Sequence, residues 1–140
     1  MVLEKPGYLG AIQAFALFRP GWRPTPLEED GPDLEVLKRH LDGAKLFYAV
    51  TSFQNPSGLS YSRAKREAVA RLLDESGAFF LEDDPYGELR FAGEDLPPVY
   101  AWRKERSVLL GTFSKIAAPG FRLGWMVAQG DIKERLVIAK

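Results

Sequence analysis

The chain has 140 residues, 46% of them hydrophobic, which is enough to fill one core at the usual size of roughly 100 to 200 residues per domain. Its 19 basic and 19 acidic residues cancel, so there is no bulk electrostatic pull toward nucleic acid, membrane or an acidic partner. With no cysteine and a single histidine, His40, disulfides, thiolate metal sites and a histidine metal cluster are excluded, and no metal is expected. Met1 to Gly10 has neither the basic nor the apolar region of a signal peptide, and no apolar run approaches the roughly 20 residues of a membrane helix. The expected compartment is the cytoplasm.

From Tyr8 to Phe18, Leu9, Ile12, Phe15, Ala16 and Leu17 recur at helical spacing until Arg19-Pro20-Gly21 breaks the pattern. Trp22 to Leu27 carries Pro24 and Pro26 and reads as a short edge strand. Asp33 is placed to cap a helix through Leu34, Leu37 and Leu41 that Gly43 ends, and Lys45 to Val50 follows as a buried strand. Ser62 or Ser60 caps the next helix, with Ala64, Ala68, Val69, Leu72 and Leu73 on its apolar stripe; Gly77 stops it, and Ala78 to Leu81 forms a second buried strand. Gly87 to Trp102 is irregular, with one short helix expected. Val108 to Thr112 is the third strand, Leu123 to Ala128 the fourth, and Asp131 opens a final helix. Helices alternating with strands that lack polar alternation imply an α/β fold, a mostly parallel sheet with helices on both faces.

In such a sheet ligands bind beyond the carboxyl ends of the strands. The loops found there are Ser52 to Gly58, Glu82-Asp83-Asp84-Pro85-Tyr86 and Phe113-Ser114-Lys115, and Arg122 enters on the segment leading to the fourth strand. Each has an ordinary reading. Asn-Pro-Ser-Gly is common turn chemistry, paired acids at a strand end often cap helices, and isolated Lys or Arg is usually solvated surface. What argues against coincidence is that amide, carboxylate, phenol, amine and guanidinium all follow strand ends in one chain.

Gln54-Asn55-Pro56-Ser57-Gly58, Glu82-Asp83-Asp84-Pro85-Tyr86 and the run from Gly111 to Trp125 (GTFSKIAAPGFRLGW) resemble the consecutive signatures of class I/II aminotransferases, fold-type-I enzymes dependent on pyridoxal phosphate. The resemblance is strongest to the branch holding 2-aminoadipate and aromatic aminotransferases and the aminotransferase-like domains of GntR-type regulators. Pro6-Gly7-Tyr8-Leu9-Gly10 is similar to the segment that sets an aromatic ring over the cofactor, so the match spans nearly the whole chain.

The resemblance implies that Lys115 is the Schiff-base lysine and proton shuttle, and that Asp83, three residues before Tyr86, pairs with the pyridine nitrogen; Asp84 fits that role less well. With Asp83 turned inward, its neighbour is expected to face solvent. Asn55 and Tyr86 would donate to the cofactor's phenolic oxygen, Thr112, Ser114 and Arg122 would grip its phosphate, and Tyr8 would stack on its ring. The implied reaction moves an amino group from an amino acid to a 2-oxo acid, in a homodimer when full-length. The alternative is a pyridoxal-phosphate-binding sensor domain of a regulator, with nucleic acid contacted only through a fused DNA-binding domain. Residues 1–140 are expected to be the C-terminal part of the cofactor-binding large domain, lacking the upstream segment and the small domain, so weak cofactor binding and negligible turnover are expected of the chain alone.

Overall fold

Seven strands of one sheet lie in the order β3-β2-β1-β4-β5-β6-β7, as the computed structural model, which describes residues 1–140, shows. They are β1 (Val2–Lys5), β2 (Arg23–Glu28), β3 (Gly31–Pro32), β4 (Leu46–Ala49), β5 (Phe79–Asp83), β6 (Ser107–Thr112) and β7 (Gly124–Val127). All neighbours from β2 to β6 pair in parallel; β3 and β7 run antiparallel at the two edges. The helices are α1 (Leu9–Ala16), α2 (Leu34–Leu41), α3 (Arg63–Ser76), the single turn α4 (Phe113–Ile116) and α5 (Gly130–Ala139).

The local chemistry accounts for most boundaries. Asp33 Oδ1 accepts from Val36 N at 3.0 Å and caps α2. Of the two serines before α3, Ser62 is the cap, accepting from Lys65 N at 3.2 Å, while Ser60 accepts from Phe53 N. Gly77 closes α3 in the left-handed region at φ 66°, where a side chain would be strained. The segment expected to hold one short helix instead holds two 3-10 turns, Gly87–Leu89 and Val99–Ala101. β2 is not the outermost strand, because β3 pairs with its last residues, Leu27 and Glu28. On that side Pro26 O accepts from Asp33 N at 3.0 Å, so Pro26 joins the short edge ladder as an acceptor only.

Period-2 alternation sorts the strands into two faces. Val2, Phe47, Ala49 and Phe80 point to one side, where Leu37 and Leu41 of α2 and Val69, Ala70 and Leu73 of α3 complete a core of 12 buried residues. On the other side lie Leu3, Tyr48 and Leu81, covered in part by α1 through an edge contact between Phe15 and Tyr48 at 5.7 Å. Helices thus flank both faces, unevenly: α1 and α5 bury none of their residues, and Leu17 and Phe18 are 82% and 81% exposed.

The core face also holds a polar hub. Glu4, 2% exposed, receives the Tyr61 hydroxyl at 2.7 Å, Val50 N at 3.1 Å and Gln54 Nε2 at 3.2 Å. Gln54 Nε2 also donates to Pro6 O at 2.8 Å, while Gln54 Oε1 accepts from Ser57 N and Oγ. One buried carboxylate therefore ties the turn after β1 to the loop after β4. Burial raises the Glu4 carboxyl from 4.5 to about 7, although its three donors pull the other way.

Two outcomes follow for stability. Leu73→Ala should cost about 2 to 5 kcal/mol in urea unfolding, because it opens a cavity in the core, whereas Phe18→Ser should change stability by less than about 0.5 kcal/mol. Glu4 binds its proton more tightly folded than unfolded, so its contribution is full below pH 4.5 and is lost as pH rises through about 7. Relative to Glu4→Gln, the wild-type chain should lose on the order of 3 kcal/mol between pH 4.5 and pH 8. Parallel pH profiles for the two chains would contradict this.

Candidate active site

The turn after β1 and the loops after β4, β5 and β6 leave the sheet at the same edge, because parallel strands end on the same side. Between them lies a cavity of about 350 Å³ lined by Tyr8, Asn55, Asp83, Tyr86, Thr112, Ser114, Lys115 and Arg122, together with Val50 and Pro85. Every residue singled out from the sequence as a site residue is on that wall. Three larger grooves, of about 640, 890 and 460 Å³, are lined largely by apolar side chains, such as Phe15, Phe18 and Trp22 in the first, Leu110, Trp125 and Met126 in the second and Phe53, Leu89 and Phe91 in the third. Amine, guanidinium, carboxylate, amide and hydroxyl converge only in the smaller cavity, which is the candidate site on chemical grounds.

Asp83 ends β5 on the face away from the core. Tyr48, on the same face of β4, donates its hydroxyl to Asp83 Oδ2 at 2.6 Å. Burial raises the Asp83 carboxyl above its usual value; the Tyr48 hydrogen bond lowers it and the charge of Asp84 raises it again. Asp84 turns to the opposite side, where its Oδ1 accepts from Gly87 N at 3.0 Å and it shares a separate pocket with Ser52 and Arg90. The two acids do diverge, but Asp84 is half-buried like its neighbour, which corrects the expectation that it faces solvent. The loop after β5 folds back over it, and burial raises its carboxyl as well. Glu82 is structural: it accepts from the Thr51 hydroxyl at 2.6 Å and from Val99 N and Tyr100 N, and pins the irregular segment to the core.

Thr112 caps α4: its Oγ1 accepts from Ser114 N at 3.1 Å and donates to Leu123 O at 3.3 Å. That hydroxyl is committed to shaping the turn, and it lines the cavity without being free. One residue beyond Ser114, Lys115 places Nζ 5.9 Å from the centroid of the Tyr86 ring. Arg122, exposed and at φ 50°, is carried to the cavity by the 3-10 turn Pro119–Phe121 and makes no ion pair within the chain. Tyr8 stands just before α1 and folds over its first turn, where a Cβ on Gly10 would come within 2.7 Å of the phenol. Asn55 is exposed on a loop that Gln54 anchors to the Glu4 hub. Tyr48, Glu4 and Gln54 were not identified from the sequence as organising residues. The available signal was a polar group inside a short apolar strand, Glu4 in Val-Leu-Glu-Lys and Tyr48 in Leu-Phe-Tyr-Ala.

The chain shares 39% identity over its full length with aromatic-amino-acid aminotransferase 1 of Thermococcus litoralis and 38% with the 2-aminoadipate transaminase of Thermus thermophilus. It covers 36% and 37% of those proteins. An HTH-type transcriptional regulator of Bacillus subtilis is 32% identical over the whole chain, which spans 30% of it. In three dimensions, the kynurenine aminotransferase of Pyrococcus horikoshii, solved in complex with PMP, superposes with a TM-score of 0.92 at 40% identity, over 99% of this chain and 36% of that one. The family model "Aminotransferase class I and II" matches residues 1–140, and with these relatives it establishes that the chain belongs to the class I and II aminotransferase family.

Proposed function

We propose that the chain supplies the lysine-bearing wall of a pyridoxal phosphate site in an aminotransferase that moves an amino group from an amino acid to a 2-oxo acid. The observation that carries this reading is the convergence of Lys115, Asp83, Arg122, Ser114, Asn55 and Tyr86 on one cavity of about 350 Å³. The donor set fits the cofactor. Asp83 Oδ1 has no donor within the chain, Arg122 has no acidic partner to release, and the Ser114 hydroxyl is free beside it. Pyridoxal phosphate, when bound, supplies an aldehyde that condenses with amines and a ring that withdraws electrons from the neighbouring carbon.

The residues divide that work. Lys115 is the one amine on the cavity wall; as a free amine its Nζ would accept a proton from the substrate α-carbon and later give it up. Asp83 presents a negative charge that holds a proton on the ring nitrogen. Asn55 and Tyr86 donate to the ring's phenolic oxygen, and Tyr8 covers the ring face. Arg122 and Ser114 bind phosphate oxygens, and Thr112 sets the turn that presents them. The substrates are an amino acid and a 2-oxo acid, and the full-length protein is proposed to act as a cytoplasmic homodimer. The exposed Leu17 and Phe18 offer apolar surface for such a contact, and no helix is long and apolar enough to cross a membrane. A second reading, a cofactor-binding sensor domain in a transcription regulator, is favoured by the HTH-type relative. A DNA-binding domain encoded in frame would decide for it.

Borohydride reduction with excess pyridoxal phosphate should fix the cofactor to the peptide containing Lys115, and Lys115→Ala should abolish the label. Labelling spread over surface lysines would contradict the assignment. Arg122→Ala should weaken cofactor affinity about 10- to 100-fold in an absorbance titration, from the loss of charge-assisted hydrogen bonds to phosphate. An unchanged affinity would remove Arg122 from the site.

A further inference from the structure

Tyr48 lies one strand away from Asp83, and the chemistry assigned to the cavity makes no use of it. Its side chain is 4% exposed, and its ring meets the edge of Phe15 on α1 at 5.7 Å. β4 and β5 pair with Tyr48 opposite Leu81, so the phenol reaches two positions forward along the same face and donates to Asp83 Oδ2 at 2.6 Å. The hydroxyl is thus placed by two strands and a helix, which leaves the ring little freedom to swing away. Asp83 Oδ1 has no donor within the chain, and Asp83 lines the cavity that also holds Lys115 and Arg122.

The electrostatics give this contact a direction. Burial and the charge of Asp84 oppose ionisation of Asp83, and the Tyr48 hydrogen bond is what favours it. Tyr48 keeps its own proton: burial, followed by the negative charge of Asp83, pushes its phenol far above the ordinary value, with smaller contributions from Glu4 and Tyr8. While Asp83 is ionised, donation therefore runs from the phenol to the carboxylate. Lys115 and Arg122 face Asp83 from the cavity with the phenols of Tyr8 and Tyr86, and Lys133 of α5 and Lys140 just after it share the groove on its other side. None of these cations forms an ion pair with Asp83. Tyr48 alone hydrogen-bonds its carboxyl group.

We propose that Tyr48 is a positioning residue that holds Asp83 ionised and oriented, binding Oδ2 so that Oδ1 is presented to the protonated ring nitrogen of the cofactor. The cofactor half of this inference rests on the function proposed above; the Tyr48–Asp83 coupling does not, and it can be measured without cofactor.

The test is a carbon-13 NMR titration of the Asp83 carboxyl in the chain labelled at aspartate, with the resonance assigned by its loss in Asp83→Asn. Tyr48→Phe should move the Asp83 midpoint up by about one pH unit or more, as expected for losing a hydrogen bond to a charged group. Replacing Tyr48 by 3-fluorotyrosine, a more acidic donor, should move it down, a change that loosened packing would not mimic and that decides the matter if Tyr48→Phe does not fold. Midpoints that stay fixed in both chains would overturn the proposal. In a second arm, pyridoxal phosphate binding to Tyr48→Phe should weaken about twofold at its raised midpoint, progressively more at lower pH, and recover as pH rises and Asp83 ionises again. A loss that does not recover with pH would mean that Tyr48 serves packing only. If the wild-type chain takes up no pyridoxal phosphate, the proposed function fails while the carboxyl titration still decides the role of Tyr48.

Discussion

Parallel pairing is the constraint on which the rest of the structure depends. β1, β4, β5 and β6 lie side by side and run the same way, so the chain emerges from each of them at one edge of the sheet. Tyr8, Asn55, the neighbouring Asp83 and Tyr86, and Lys115 come from four distant stretches of sequence, and they meet because each lies at or just beyond a strand end. The antiparallel β7 closes the arrangement by returning from the cavity, bringing Arg122 with it. A register slip of one residue in β5 would exchange the faces of Glu82 and Asp83, sending the structural carboxylate into the cavity and the free one into the core.

Buried carboxylates then divide the labour by face. On the core side Glu4 and Glu82 are surrounded by donors and hold loops, and Arg66, fully buried, is satisfied by the Tyr61, Thr51 and Pro97 carbonyls and the Ser52 hydroxyl. Leaving any of these groups unpaired would cost more than their bonds gain, which makes the network rigid. On the opposite side Asp83 has one oxygen held by Tyr48 and the other open to the cavity. The same residue type thus has two uses, distinguished by how many donors reach it. The packing follows the same division: the core face is sealed by α2 and α3, and the face carrying the cavity is only thinly covered by α1.

Much of this was legible in the sequence. Apolar runs without alternation marked β4, β5 and β6, Asp33 and Gly77 marked helix ends, and the strand-end rule gathered the loops that carry Asn55, Asp83, Tyr86, Ser114 and Lys115, whereas Tyr8 was legible only through the family resemblance. What escaped was set by contacts between distant segments. Whether Ser60 or Ser62 capped α3 depended on Phe53, which takes Ser60 for its own N–H. The Tyr48–Asp83 bond depends on strand register, which no single strand encodes. The burial of Asp84 follows from the loop after β5 folding back over it. The commitment of the Thr112 hydroxyl to Leu123 O arises only once β7 has docked. Local chemistry wrote the elements and their caps; pairing decided which polar groups remain free.

The decisive question is whether the small polar cavity, rather than one of the larger apolar grooves, receives pyridoxal phosphate. Residue-resolved NMR of the chain during titration with pyridoxal phosphate measures this directly. The predicted result is that signals of Tyr8, Asn55, Tyr86, Ser114 and Arg122 move together with one saturation curve, while those of Phe18, Trp22 and the core-face Arg66 stay in place. Perturbations gathered around Phe18 and Trp22, or none that saturate, would contradict it.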